Sequence, residues 1–344
     1  MKKILLLLSG LILLFSACEK DDLSGTLKDV LYVRYKNAEM PAYIYGNGKD
    51  KIFLIILHGG PGGKGIEYRM GGIKELEDKY AIVYMDQRGS GMSTGNYSGD
   101  ELTPRLMAED VMALVKVLKY KYGNDLTLFL LGHSWGGALG TEVLLQDQTP
   151  FAGWIEVDGG HNLKGLFDSQ IVRYNQVADQ QIAAGKNVDY WTDLKKKVNE
   201  IASEGYSDEN MDELNGLGHS SEDILAEDGL VPDTGKVNVN LPNYLYEESL
   251  LLAGISSIVV NSSLSYIWEN LDYTPQLKNI TIPSLIMWGE YDLVIPYDLG
   301  QQAYDSIGSA DKTWVLFHAS GHSPMVNEPR KFADELDKFI EAHK

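Results

Sequence analysis

The feature that most constrains the fold is the regular alternation of short apolar runs with helical patterns. The run from 51 to 57 is almost wholly apolar and ends in the glycine-rich turn at 58 to 62. A strand that is buried on both faces has this pattern before a turn. Similar runs occur at 81–85, 126–131, 154–157, 284–288 and 314–317, and helical patterns occur at 66–79, 102–122, 137–146 and 329–343. Strands that alternate with helices predict an α/β fold with a mostly parallel sheet covered on both faces.

The alternation breaks after the sixth strand-like run, where longer helical patterns replace the short apolar runs. We interpret residues 162–275 as a helical cap subdomain inserted over the carboxyl edge of the sheet. The core is then formed by residues 30–161 and 276–344, and it begins with a hairpin whose strands are predicted at 30–35 and 42–45. The length of 344 residues and the 44% hydrophobic content suit one large core with an insertion.

The N-terminus has the pattern of an export signal. Two lysines follow Met1, an apolar run covers residues 4–15, and Ser16-Ala17-Cys18 comes next. The run is too short for a transmembrane helix, which needs roughly 20 apolar residues, so it predicts a signal peptide at 1–17. The segment resembles the lipobox of bacterial lipoproteins, which implies lipidation at Cys18 and a polar tether at 18–29. Two alternatives remain open: ordinary cleavage after Ala17, leaving a free thiol, and an uncleaved membrane helix.

This resemblance implies a lipid-anchored protein of the bacterial cell envelope, at the outer membrane and either periplasmic or exposed on the surface. Cys18 is the only cysteine, so an internal disulfide is excluded. The formal net charge is −19, and loss of the signal peptide, which contains Lys2 and Lys3, makes it more negative by two units. Such a surface repels nucleic acid, so we expect no nucleic-acid partner.

A candidate nucleophile lies in the sequence Gly132-His133-Ser134-Trp135-Gly136-Gly137. This G-x-S-x-G motif directly follows the apolar run at 126–131 and directly precedes a helical pattern, which is the context that the motif requires. The tight turn from strand to helix would place Ser134 above the edge of the sheet. The helix N-terminus would then favour a negative charge that develops at the reacting centre.

A serine hydroxyl needs a base to remove its proton, and His322 is the candidate. It lies in a loop after the last apolar run and before the final helix. His318, at the end of that run, is the nearest rival. The H-x-x-x-H spacing of the two histidines binds zinc on a helix, but Gly321 and Pro324 indicate a loop, so we expect no metal site.

The imidazole must be held in one tautomer by a carboxylate. Asp292 follows the apolar run at 284–288 after a short turn, and it gives the order Ser, Asp, His that this architecture uses. Asp158, after the preceding run, is the alternative acid. The oxyanion of the intermediate needs two backbone donors, for which we select the amides of Trp135 and Gly60, because Pro61 has no N–H.

Four motifs together resemble the proline iminopeptidase family: HGGPG at 58–62, DQRGSGMS at 86–93, GHSWGG at 132–137 and WGEYDLVIP at 288–296. The resemblance covers roughly 30–160 and 276–344. It implies an α/β-hydrolase fold with a helical cap, and a serine peptidase that removes an N-terminal residue, often proline, from short peptides without a cofactor. It assigns the triad to Ser134, Asp292 and His322, and the oxyanion hole to Gly60 and Trp135.

The chain also departs from the family. Family members often have glycine or serine where this chain has His133, and glutamates in their cap bind the free amine of the substrate. The candidates here are Glu247, Glu248 and Glu269, each beside an aromatic residue. Arg88 is a further, less favoured candidate for contact with the substrate.

Two other readings stay open. A carboxylesterase or carbon–carbon bond hydrolase would use the same triad on an ester or similar substrate and would lack the amine pocket. A binding lipoprotein that merely retained the fold is the more remote alternative.

Overall fold

The computed structural model describes residues 23, 25–96, 98–233 and 270–344, so Cys18, Glu247, Glu248 and Glu269 lie outside the described residues. The described residues form a nine-stranded sheet. Its strands are β1 (Thr26–Tyr35), β2 (Ala38–Asn47), β3 (Ile52–Leu57), β4 (Ala81–Met85), β5 (Thr94–Gly95), β6 (Thr127–His133), β7 (Phe151–Val157), β8 (Ser284–Gly289) and β9 (Lys312–Phe317).

The strands lie in the order β1-β2-β4-β3-β6-β7-β8-β9, and β5 pairs with β2. β1 and β5 are antiparallel to β2, and β2 is antiparallel to β4. All pairs from β4 through β9 are parallel. The predicted mostly parallel sheet is therefore confirmed. Because parallel strands end at the same edge, the loops after β3, β6, β7, β8 and β9 meet there.

Helices cover both faces of this sheet. Within the described ranges the helices are α1 (Gly71–Glu75), α2 (Pro104–Tyr122), α3 (Trp135–Asp147), α4 (Leu166–Ala184), α5 (Val188–Glu204), α6 (Asp208–Glu227), α7 (Tyr297–Ser306), α8 (Pro324–Asn327) and α9 (Pro329–His343), of which α4, α5 and α6 lie between β7 and β8. One apolar cluster joins the sheet to α2, α3 and α7, and a second joins the other face to α1 and α9. In the parts of the chain that the structure describes, no helix has the length and apolar character needed to cross a membrane.

Two local predictions need correction. β1 begins at Thr26, so the tether predicted at 18–29 ends earlier, because residues 26–29 pair with β2 and Leu27 packs against the core. The helix predicted at 66–79 is instead a 3₁₀ turn (Gly65–Tyr68), α1 and a second 3₁₀ turn (Leu76–Asp78). It is interrupted at Gly71, whose φ is +48° and where a Cβ would lie 2.1 Å from the carbonyl oxygen of Met325.

The segment between β7 and β8 contains α4, α5 and α6 in its described part. The hydroxyl of Tyr174 in α4 donates to the carbonyl of Leu214 in α6 at 2.6 Å, which joins these two helices. Gln170 Nε2 donates to the carbonyl of Val294 at 2.8 Å, so α4 also contacts the loop after β8. The helices of this segment thus lie at the carboxyl edge of the sheet.

Arg88 is fully buried and is not among the residues that line the cavity at Ser134, so its candidate role in substrate contact is wrong. Its Nε donates to Asp110 Oδ2 at 2.8 Å, and its terminal nitrogens donate to the carbonyls of Tyr35 and Lys36 at 3.0 Å. The guanidinium therefore ties the hairpin of β1 and β2 to α2, which carries Asp110.

Replacing Arg88 with methionine should destabilise the protein strongly, because Asp110 would remain as a buried charge without its partner. Breaking a buried pair in this way typically costs about 3–5 kcal/mol, and the additional change Asp110→Leu should recover much of it. Urea unfolding monitored by circular dichroism measures the effect. As a control, Arg34→Met removes an exposed pair with Glu39 and should change the free energy of unfolding by less than about 1 kcal/mol. Equal effects of the two substitutions would contradict this account.

Candidate active site

Ser134 lies at the turn between β6 and α3 in a strained backbone conformation, with φ 56° and ψ −125°. Such a conformation in a non-glycine residue costs about 1–3 kcal/mol and persists only when surrounding contacts impose it. The amide of Ser134 donates to the carbonyl of Val157 at 3.1 Å, and its carbonyl accepts from Gly160 at 2.9 Å. At Gly136 a Cβ would lie 2.0 Å from the carbonyl oxygen of Leu57. β3 and β7 thus hold the turn from both sides.

His322 and Asp292 meet at the same edge of the sheet. His322 Nδ1 lies 2.8 Å from Asp292 Oδ2, and the other oxygen of Asp292 accepts from the amides of Val294 and Ile295 at 2.8 Å each. Burial lowers the pKa of His322, so its imidazole is neutral and can accept a proton. Burial raises the pKa of Asp292, while the two amides favour its charged form.

Asp158, the alternative acid, is also buried at this edge but has fewer partners. Its Oδ1 accepts from the amide of Gly289 at 2.8 Å, and its Oδ2 has no hydrogen-bond partner among the described residues. Burial, together with the nearby charge of Asp292, raises the pKa of Asp158 well above its ordinary value. Of the two carboxyl groups, Asp158 therefore holds the proton and Asp292, with its amides and histidine, carries the charge.

The two candidate oxyanion donors belong to neighbouring loops. Trp135 is the first residue of α3, so its amide has no partner within the helix. Gly60 lies in the turn after β3 with φ +120°. Gln87, from the DQRGSG motif, connects these loops: its Nε2 donates to the carbonyl of His58 at 2.8 Å, and its Oε1 accepts from the Trp135 indole at 3.0 Å.

A cavity of about 530 Å³ opens at this edge, and both Ser134 and His322 line it. Part of its wall is apolar, formed by Leu163, Leu166, Val294, Ile295 and Val326. The helical segment after β7 adds a polar side through three residues of α6, namely Asn215, His219 and Glu222. The cavity therefore combines a candidate nucleophile with an apolar pocket and a carboxylate.

Glu222 is a site residue that the sequence reasoning missed. Its Oε1 accepts from the amide of His322 at 2.9 Å, and burial raises its pKa to about 7. The sequence carries only a weak signal for Glu222. Positions 215, 219 and 222 share one face of α6, next to the buried residues Met211, Leu214, Gly218, Ser221 and Leu225. Because that face is polar, the spacing alone does not predict that Glu222 lines a cavity.

His318, the rival base, points away from the cavity. Its side chain is 72% exposed and its Nδ1 lies 2.6 Å from Glu290. The potential ligand atoms of His133, Asp158 and His322 do lie within 4.8 Å of one another. However, both nitrogens of His133 and Nδ1 of His322 are engaged in hydrogen bonds with the protein, so the group does not present three free ligands.

The sheet order and this site at its carboxyl edge define an α/β hydrolase. A sequence profile described as alpha/beta hydrolase fold matches residues 52–329, and the chain therefore belongs to the α/β-hydrolase fold family. The fold expected from the sequence is thereby confirmed, and so is the expectation of a hydrolase.

Among relatives, the probable aminopeptidase YbaC of Bacillus subtilis (strain 168) is 24% identical over 313 residues, covering 89% of this chain and 94% of the relative. The proline iminopeptidase of Lactobacillus delbrueckii subsp. bulgaricus is 24% identical over 323 residues, with coverages of 90% and 96%. The resemblance to proline iminopeptidases is confirmed. A solved serine hydrolase involved in carbazole degradation (CarC enzyme) matches with a TM-score of 0.62 at 15% identity, covering 92% of this chain and all of the other.

Asp292→Asn should reduce turnover far more than Asp158→Asn. An asparagine amide at 292 disturbs the tautomer of His322. In serine proteases, replacing the orienting aspartate of the triad with asparagine lowers turnover by about 10⁴. An amide at 158 replaces a group that is already uncharged. Hydrolysis of a p-nitrophenyl ester measures both, with Ser134→Ala as the inactive reference. A larger loss at position 158 would assign the acid to β7.

Proposed function

We propose that this hydrolase is a serine aminopeptidase that releases N-terminal residues, in the manner of a proline iminopeptidase, from short peptides. The observation that carries the proposal is the carboxylate of Glu222 in the wall of the cavity that contains Ser134. A peptide bound with its scissile carbonyl at Ser134 has its free ammonium only a few ångströms away. A carboxylate in the same cavity is the group that such an ammonium requires.

In the proposed mechanism, Ser134 Oγ attacks the carbonyl of the first residue as its proton passes to His322. Asp292 keeps the imidazole oriented through Nδ1 and stabilises the imidazolium. The amides of Trp135 and Gly60 stabilise the oxyanion. His322 then returns the proton to the leaving amine, and water hydrolyses the acyl-enzyme by the same steps. The apolar wall suits a ring or aliphatic side chain at the first position.

A carboxylesterase remains the alternative, and one observation favours it. Because burial raises the pKa of Glu222 to about 7, a large fraction of this group is uncharged near neutral pH when no cation is bound beside it. An uncharged Glu222 beside the apolar wall would suit a neutral ester. The two functions differ in whether the substrate needs a free amine.

Glu222→Gln should lower kcat/KM for proline β-naphthylamide by about ten- to a hundredfold, since a hydrogen bond to a charged group is worth roughly 1.5–3 kcal/mol. Acetylating the substrate's amine should have a similar effect on the wild-type enzyme. Cleavage of a short p-nitrophenyl ester should be retained in the variant, because the glutamine oxygen can still accept the His322 amide. Glu67→Gln, at an exposed carboxylate of the same cavity, is the matched control and should behave as wild type.

The pH dependence gives a second readout of the same prediction. As pH falls through about 7, Glu222 gains a proton and its attraction for an ammonium is lost, so kcat/KM for the free amine should fall more steeply than for the ester. Equal cleavage of free and acetylated substrates would contradict the amine pocket and favour the esterase. Loss confined to Glu247→Gln, Glu248→Gln or Glu269→Gln would move the amine site to one of those residues.

We also propose that Cys18 is lipidated and anchors the enzyme to a membrane of the bacterial cell envelope. The support is the sequence pattern around Cys18, which lies outside the described residues. Strand β1 begins at Thr26, so seven residues would separate the lipidated cysteine from the folded core.

Cys18→Ser should stop processing of the precursor or release the protein from the membrane fraction. Fractionation and metabolic labelling with a fatty acid measure this, and Ser24→Ala, in the predicted tether, serves as the control. Protease treatment of intact cells then distinguishes the two sides, since digestion indicates a surface location and protection a periplasmic one. Membrane release of the wild-type protein by salt alone would exclude a lipid anchor.

A further inference from the structure

His133, the residue before the candidate nucleophile, contacts the loop that carries the candidate base. Its side chain is buried, with 5% of the residue exposed. Its Nε2 lies 2.6 Å from the carbonyl oxygen of His322, and its Nδ1 lies 2.6 Å from the hydroxyl of Tyr68. Tyr68 ends the 3₁₀ turn that follows the glycine-rich loop, and its hydroxyl accepts from the amide of Gly59 at 2.7 Å.

Each hydrogen bond in the series from Gly59 through Tyr68 and His133 to His322 has one possible direction. The His322 carbonyl can only accept, so His133 carries a proton on Nε2 and donates it there. A neutral imidazole has one N–H, so His133 Nδ1 accepts, and the Tyr68 hydroxyl donates to it while accepting from the Gly59 amide. Burial lowers the pKa of His133 to about 3, which keeps this tautomer uncharged.

The chain of hydrogen bonds joins the loops that would perform catalysis. Gly59 belongs to the loop after β3, His133 to the end of β6, and His322 to the loop after β9. The His322 backbone is held on both sides, because its amide donates to Glu222 while its carbonyl accepts from His133. Since His322 lies in a loop, these bonds and Asp292 set the position of its imidazole.

We infer that Tyr68 and His133 are positioning residues, which hold the His322 loop and the Gly59 loop in register with Ser134 through one continuous chain of hydrogen bonds. This inference rests on the proposed roles of Ser134 and His322. It is independent of the substrate and of the amine pocket.

The rate of reaction with a fluorophosphonate tests it without a known substrate. Ser134 Oγ forms a bond to phosphorus, fluoride leaves, and the serine proton passes to His322, so the rate depends on the geometry of the base. Tyr68→Phe and His133→Ala should each lower the second-order labelling constant by about ten- to a hundredfold, the scale expected for misplaced catalytic groups. His133→Gln should recover part of the rate, because its amide can donate to the His322 carbonyl.

The variant that carries both substitutions distinguishes positioning through one series of hydrogen bonds from separate, independent effects of the two residues. If Tyr68 acts through His133, Tyr68→Phe/His133→Ala should label no more slowly than His133→Ala alone. Tyr80→Phe is the matched control, since it removes a hydroxyl bound to Asp337 and Glu341 before β4, at the opposite edge of the sheet, and should keep the wild-type rate. Circular dichroism confirms folding, and if His133→Ala does not fold, Tyr68→Phe and His133→Gln still give the comparison.

Wild-type labelling rates in Tyr68→Phe and His133→Ala, or losses that multiply in the double variant, would overturn the inference. In either case the proposed function stands, provided that the wild type labels and Ser134→Ala does not. Failure of the wild type to label would instead reject Ser134 as the nucleophile, and with it the inference.

Discussion

The strained backbone of Ser134 is the constraint on which the rest of the site depends. A non-glycine residue with this positive φ persists only where surrounding contacts impose the conformation, and here Gly136 allows the start of α3 to contact the end of β3. Hydrogen bonds to Val157 and Gly160 add the end of β7. Three adjacent parallel strands thus fix one side chain, and the loops that follow them are brought to the same point.

Burial then determines which of the titratable groups around that point are charged. His58, His133 and His322 all lie at this edge, and burial lowers the pKa of each, so all three are neutral. His58 takes the opposite tautomer to His133, since its Nδ1 donates to the carbonyl of Gly59 and its Nε2 accepts from Gln87. With Asp158 protonated, the negative charge of this pair of carboxyl groups rests on Asp292. A charge held next to the imidazole among fixed dipoles is the arrangement that can stabilise a transient imidazolium.

The strands and site residues that could be predicted from the sequence are those marked by a pattern of neighbouring residues. β3, β6 and β8 are apolar runs that end in turns, and Asp292 and His322 follow from their order after Ser134. The interruption of the helix at 66–79 could not be read, because it depends on contact between Gly71 and Met325, more than 250 residues away. The same is true of Glu222 and His133, whose partners at His322 are distant in sequence and meet only when the sheet is assembled.

The hydrogen bond from the His322 amide to Glu222 has a consequence for how this enzyme could diversify. When the catalytic residues lie in the core and an inserted segment covers them, replacing the insertion is expected to change substrate preference without changing the reaction. Here α6 supplies an acceptor to the loop of the candidate base, so a foreign insertion would leave that amide unpaired unless it brought an acceptor to the same place. We therefore expect recombination between relatives to favour insertions that provide an acceptor for this amide.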